Sequence, residues 1–231
     1  MKQKELILYL LVPVFVLLIA IAAQYSGFDL WLEHFFYNTE THSWPYKSLF
    51  FTRVVLHTWA KYLVVGFALL NLAAIVAALF VERLRPYLKY LVYIFIAAVS
   101  GPLLVGFLKD TTHIYVPWDL SIFGGDKPHV RLFDSVVRNA PVGHGFPGGH
   151  SSGGFAYLSL YFILLMQNKS YKYYGLLVPI ALGGIFALDQ EIRGAHFLSH
   201  DLLSFVICWS LALLWAILFF PGYFSGKLKK V

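Results

Sequence analysis

The sequence is poor in charge. Only 13% of its 231 residues are Asp, Glu, Lys or Arg, against roughly 25% in an ordinary soluble domain. With 59% hydrophobic residues, that shortage excludes a disordered chain and a charge-laced coiled coil. Cysteine is nearly missing as well. The one present, Cys208, cannot close an intramolecular disulfide, so a disulfide scaffold is excluded and redox compartment goes unmarked. There is no internal repeat, no low-complexity segment and no Walker-type phosphate loop.

What the chain has instead is long apolar runs. A membrane-crossing helix needs about 20 largely apolar residues. Six stretches qualify or nearly do, which predicts an all-α polytopic membrane protein with spans at about 6–24, 58–81, 88–108, 150–167, 173–189 and 202–220. The whole chain, 1–231, then reads as a single integral-membrane domain. The first stretch also has features of a signal peptide, with Lys2 and Lys4 ahead of it and Ala20-Ile21-Ala22 at its end. Its apolar run exceeds the usual 7–15 residues of such a peptide, which favours an uncleaved helix.

Orientation follows from the short loops, because Lys and Arg stay on the cytoplasmic side. With the N-terminus inside, the inner segments hold Lys2, Lys4, Arg83, Arg85, Lys89, Lys169, Lys172, Lys227, Lys229 and Lys230, against only Glu5 and Glu82. Both termini are then cytoplasmic. The loops at about 25–56, 109–149 and 190–201 face outward, which in a bacterium makes this an inner-membrane protein with a periplasmic face. All nine histidines (34, 42, 57, 113, 129, 144, 150, 196 and 200) fall on or near that outer side. Some of them are expected to share a functional surface. The aromatic segment Phe28–Phe36 suits either the headgroup layer or a loop packed on helix ends.

Three polar clusters sit at helix ends on this side. One is Lys109 with Asp110, His113, Pro117, Trp118 and Asp119. A second runs from Phe146 through Pro147-Gly148-Gly149-His150-Ser151-Ser152 to Gly154. The third runs from Asp189-Gln190-Glu191 through Arg193 and His196 to His200 and Asp201. Antiparallel helices can bring these ends together, and ionisable residues at membrane depth mark a site by default. Gly148 and Gly149 at a helix start suit an anion loop. Lys109 and Arg193 supply fixed positive charge for phosphate oxygens. Two imidazoles can serve as nucleophile and general acid. The group suits metal-independent phosphoryl transfer on the outer face, with no cofactor and no nucleic-acid partner expected.

At these residues the chain resembles the type 2 phosphatidic acid phosphatase superfamily. The three-part signature of that family is Lys-x6-Arg-Pro, Pro-Ser-Gly-His and Ser-Arg-x5-His-x3-Asp. Lys109 with Val116-Pro117 stands for the first part and Pro147-Gly148-Gly149-His150 for the second. The third is loosest, at Gly194-Ala195-His196-Phe197-Leu198-Ser199-His200. The resemblance implies a six-helix membrane fold and a phosphohistidine mechanism acting on a lipid phosphate or pyrophosphate in the bilayer. In it His196 attacks phosphorus, His150 protonates the leaving oxygen and Lys109 binds phosphate.

The departures from the signature are specific. Val116 stands at the first-motif Arg and Gly148 at the second-motif Ser, whose hydroxyl Ser151 or Ser152 would replace. The third-motif Arg position holds Gln190, with Arg193 one turn nearer and about 60° away in azimuth at 100° per residue. The orienting Asp position holds His200, expected to accept a hydrogen bond from His196, and Asp201 follows it. A shifted alignment makes His200 the nucleophile. Asp189 and Glu191 read as a solvated helix end, His113 and Asp119 as loop or headgroup residues, and Arg131 and Arg138 as surface charges. Cys208 reads as lipid-facing or packing. The leading expectation is a lipid phosphatase. The alternatives are a lipid phosphotransferase using the same intermediate, a non-catalytic lipid-binding relative, and a metal enzyme using His196-x3-His200 on one helix face.

Overall fold

The computed structural model describes residues 3–136 and 140–225. Lys2, Lys227, Lys229 and Lys230 of the expected basic inner face, and Arg138, lie outside the described residues. The described chain is helical, with two isolated bridges in its loops. In chain order the helices are α1 (Gln3–Tyr25), α2 (Phe28–Glu33), α3 (Phe51–Phe80), α4 (Leu88–Lys109), α5 (Gly149–Phe155), α6 (Ser159–Met166), α7 (Tyr174–Ile192), α8 (Leu198–Phe219) and α9 (Pro221–Phe224).

Among the described residues, five helices are long and apolar enough to cross a bilayer: α1, α3, α4, α7 and α8. The stretch expected as a sixth span is helical from 149 to 166 but in three pieces. α5 and α6 are joined by a 3-10 turn, Ala156–Leu158. Its first turns carry Gly149, Ser151, Ser152, Gly153 and Gly154, residues of low helix propensity, so no single long α-helix forms.

The helices also run past the expected boundaries. α3 starts at Phe51, seven residues earlier than expected, with a π-helical segment Phe51–Trp59. α7 continues to Ile192 and α8 begins at Leu198, so the expected 190–201 loop shrinks to 193–197. Hydropathy marks where hydrocarbon ends, whereas the backbone hydrogen-bond ladder continues wherever polar side chains are enclosed by protein.

α8 forms the centre of the bundle, packed by α1, α4 and α5, while α5 also lies along α7. The core between them holds Tyr93, Phe155, Leu158, Phe162, Trp209 and Leu213. Cys208 is buried there too, so of its two expected settings it takes packing. Two large polar side chains of this core are paired: Tyr93 Oη donates to the Ala212 carbonyl at 3.0 Å, and Trp209 Nε1 to the Tyr9 carbonyl at 2.9 Å. The outer faces of α1 and α3 expose large apolar side chains such as Phe15, Leu70 and Phe80.

A second core caps one end of the bundle. Tyr37, Trp44, Tyr115, Leu120, Phe123 and Phe197 pack together from three loops. Of the aromatic segment 28–36, Trp31 and Phe35 are exposed while Asp29 and Glu33 point inward and are buried. Beneath this cap lie the starts of α3, α5 and α8 and the ends of α4 and α7.

Candidate active site

α7 ends in a tight turn. The Ala195 amide donates to the Gln190 carbonyl and the Gly194 amide to the Glu191 carbonyl, each at 2.8 Å, which is the Schellman closure. Gly194 takes φ +73°, and a Cβ there would also meet the Trp44 ring. Glycine is required on both grounds. The turn reverses the chain and delivers His196 just before α8. His196 is therefore not on the α8 helix, and the expected pair of imidazoles on one helix face does not form. The rings of His196 and His200 meet edge to face with centroids 5.8 Å apart, and Nδ1 of each lacks a hydrogen bond. The expected His196–His200 hydrogen bond is replaced by this edge contact.

His196 is 4% exposed. Burial, then the positive Lys109 and neighbouring His200, push its pKa well below the ordinary histidine value. The imidazole is neutral at pH 7, the form a nucleophile needs. Lys109, the last residue of α4, interacts electrostatically with His196, His200, His150 and Asp201. A methyl group added to Gly149 would stand 3.3 Å from Lys109 Nζ, so this cation lies against the α5 start.

Arg193 is buried. Its Nε donates to the Lys47 carbonyl at 3.3 Å, and Nη1 stands 3.6 Å from Asp189 Oδ2 without a hydrogen bond. Asp189 and Glu191 are themselves buried, which corrects the reading of a solvated helix end. Val116, at the first-motif Arg position, is buried and apolar. Its neighbour Trp118 donates its amide to the Gly194 carbonyl at 3.0 Å, tying this loop to the turn after α7.

Gly148 departs from the anion-loop expectation. Its amide donates to the His200 carbonyl at 2.9 Å, so that N–H is already used. A Cβ at Gly148 would strike Asp201 Oδ1. Asp201 in turn accepts 2.6 Å from Ser151 Oγ, and Ser151 is wholly buried. The Ser-to-Gly departure and the carboxylate at 201 therefore belong together: Asp201 occupies space that a serine side chain would need. Ser151 holds Asp201 instead of opening toward a ligand, and Asp201 Oδ2 has no hydrogen bond.

Other residues at the site were not singled out by sequence. The His57 ring stacks on His150 with centroids 3.9 Å apart and planes 11° apart. His150 Nε2 donates to the His57 carbonyl at 2.9 Å. Gln190 Nε2 lies 3.4 Å from His57 Nδ1 and donates 2.6 Å to Asp189 Oδ2. From α2, Asp29 Oδ1 accepts the Ser199 amide at 3.2 Å and caps α8. Glu33 is fully buried with both carboxylate oxygens unpaired. Burial and then the neighbouring Glu191 raise its pKa well above the ordinary value. The sequence signals for these were the outer-side histidine count and, for Gln190, its place at the third-motif Arg position; nothing local marked Asp29 and Glu33, which share one face of α2 at i,i+4 spacing.

Of the nine histidines, four gather here: His57, His150, His196 and His200. His113 and His144 belong to the 110–147 loop, bonded to the Pro141 carbonyl and to Asp110 respectively. His129 packs on Phe197 and His34 on Phe123. Asp119 is partly buried and Arg131 forms a two-pronged ion pair with Asp134. Beside His150 is a cavity of about 300 Å³ between α3, α4, α5 and α7. Lys61, Val64, Pro102, Gly149 and Phe186 are among the residues that line it.

The family model described as the PAP2 superfamily fits residues 86–222. No curated protein and no solved structure matches the chain.

Proposed function

This chain belongs to the PAP2 superfamily, and on that premise we propose that it is a metal-independent lipid phosphatase. It removes phosphate from a lipid phosphate or pyrophosphate at the outer face of a bacterial inner membrane. The proposed protein is a single integral-membrane domain in which the 149–166 run is a sixth crossing. The termini are cytoplasmic and the site is periplasmic. The exposed basic residues Arg83 and Arg85, at the opposite end of α4 from Lys109, support that orientation.

His196 attacks phosphorus, forming the P–N bond as the bond to the leaving oxygen breaks. His150 gives that oxygen its proton. Water then attacks phosphorus, the P–N bond breaks, and His150 takes back a proton. Lys109 and Arg193 hold the phosphate oxygens, with Gly149 at the α5 start leaving room for them. Asp201, held by Ser151, positions the 148–150 entry. His200 packs edge-on against His196 and fixes its ring. The mostly apolar cavity beside His150 suits the chain of a lipid whose headgroup reaches these cations.

The observation that carries this reading is the grouping of a buried neutral imidazole, a second imidazole and two cations at one end of the bundle. Purified protein with a lipid phosphate should release inorganic phosphate, with EDTA present or absent. His196→Ala and His150→Ala should each lower the rate by at least about 10²-fold. Vanadate should inhibit. Equal slow release by wild type and His196→Ala would leave a non-catalytic lipid binder as the reading.

A further inference from the structure

His57 lies outside residues 86–222, the part matched by the family model, and outside all three signature motifs. We propose that His57 is a positioning residue for His150, clamping it from two directions. This rests on the reading of His150 as the acid that protonates the leaving oxygen.

The clamp has three contacts. The main-chain carbonyl of His57 accepts a hydrogen bond from His150 Nε2 at 2.9 Å. The two rings lie nearly parallel, 11° apart, at 3.9 Å. Behind His57, Gln190 brings its amide to 3.4 Å from Nδ1, while the same amide is anchored on Asp189. Asp189 faces Arg193 at 3.6 Å. A continuous path of contacts thus runs from the α7 end through Gln190 and His57 to His150.

Two consequences follow for proton transfer. The carbonyl bond keeps a proton on Nε2 and fixes the ring direction. The other nitrogen, Nδ1, is then the one that can carry and release the transferable proton, and an acceptor at Nε2 makes it more basic. His150 as imidazolium loses the Nδ1 proton to the leaving oxygen and keeps Nε2–H on the His57 carbonyl. The stacked ring restricts rotation about the side-chain bonds, which holds the acid in reach of its target. The charged and titratable groups facing the pair are Lys61, Lys109, Arg193 and His196.

The local backbone is unusual in a way that fits. His57 sits in the π-helical segment Phe51–Trp59. Such segments are rare and tend to occur at functional sites. The signature departure at Gln190 fits as well. An arginine at that position would put a cation against the His57–His150 stack, whereas the neutral amide gives His57 Nδ1 a hydrogen-bond partner.

The test uses the full chain in detergent, with three variants and two readouts. His57→Ala should lower kcat by about 10–100-fold with KM within about threefold, and should move the pH profile of kcat. His57→Phe keeps a flat ring over His150 and should recover most of the lost kcat. Gln190→Met, which leaves His57 in place but unsupported, should show a smaller loss. The accepting carbonyl is main-chain and survives in His57→Ala, so nitrogen-resolved NMR should report the Nε2–H form of His150 in both proteins, with a broadened, more mobile ring signal in His57→Ala where the stack is lost. Unchanged kcat, pH profile and NMR signature in His57→Ala would overturn the proposal. So would equal losses in the Ala and Phe variants with an unaltered His150 signal. Wild type that releases no phosphate would overturn the phosphatase reading instead, and the clamp would stand or fall on the NMR signal alone.

Discussion

Asp29 is 1% exposed, and its two oxygens are treated unequally. Oδ1 caps α8 through the Ser199 amide while Oδ2 has no hydrogen bond. Burial, only partly offset by the Ser199 bonds, raises its pKa from 3.8 to about 6. The unfolded chain ionises this group near its ordinary value, so between the two values the folded state holds more protons. The stability contributed by protonated Asp29 is complete below pH 4 and is lost as pH rises through about 6. Asp29→Asn keeps the Oδ1 acceptor and cannot ionise. Its unfolding midpoint relative to wild type should therefore climb from pH 4.5 to 7.5, by a gain of at most about 3 kcal/mol at about 1.4 kcal/mol per tenfold. Buried neutral His196 acts in the opposite sense, with stability lost as pH falls below 6.5, but that contribution cancels between the two proteins. A constant gap across pH would mean that Asp29 ionises in the folded state at its ordinary value. At Gly148 the prediction is steric. Gly148→Ser restores the family residue yet should destabilise by about 1–3 kcal/mol, because its Cβ meets Asp201. Combining it with Asp201→Ala should cost less than the sum of the two single changes, and strict additivity in thermal unfolding would refute the steric link.

At the scale of elements, the α4–α8 contact depends on Tyr93, whose hydroxyl bonds the Ala212 carbonyl at 3.0 Å inside the core. Tyr93→Phe keeps the ring and should lower stability by about 1 kcal/mol in a detergent unfolding assay. A loss several times larger would mean that the hydroxyl organises more than this contact. The sequence located five long helices correctly, because hydropathy accumulates along a single run and needs no tertiary information. It misplaced the ends of α3, α7 and α8. The polar strings Asp189-Gln190-Glu191 and Ser199-His200-Asp201 look like loops to a hydropathy scale, yet they extend helices because they are enclosed by the rest of the protein. The 149–166 run shows the opposite effect: its glycines and serines keep it helical only in pieces, and Gly149 lets Lys109 approach the backbone.

For the whole molecule, the site end of the bundle gathers the starts of α3, α5 and α8 and the ends of α4 and α7, while Arg83 and Arg85 sit at the other. The proposed sidedness makes a direct prediction. Ser121→Cys, in the exposed loop at the site end, should react with a membrane-impermeant thiol reagent added outside intact cells. Arg83→Cys should react only after lysis. Cys208 is buried and should stay silent in both. The reverse labelling pattern would invert the topology and move the site to the cytoplasm. By itself the sequence determined a helical chain of the PAP2 superfamily with helices long and apolar enough to cross a membrane, and it offered Lys109, His150, Arg193 and His196 as site candidates, because hydropathy and short motifs are properties of neighbouring residues. Only the tertiary structure decided that Gly148 makes room for Asp201, that Glu33 and Asp29 stand behind α8, and that His57 stacks on His150. Those pairings join residues as far as 93 and 170 positions apart. They arise from how helices pack, which no local pattern of residue types encodes.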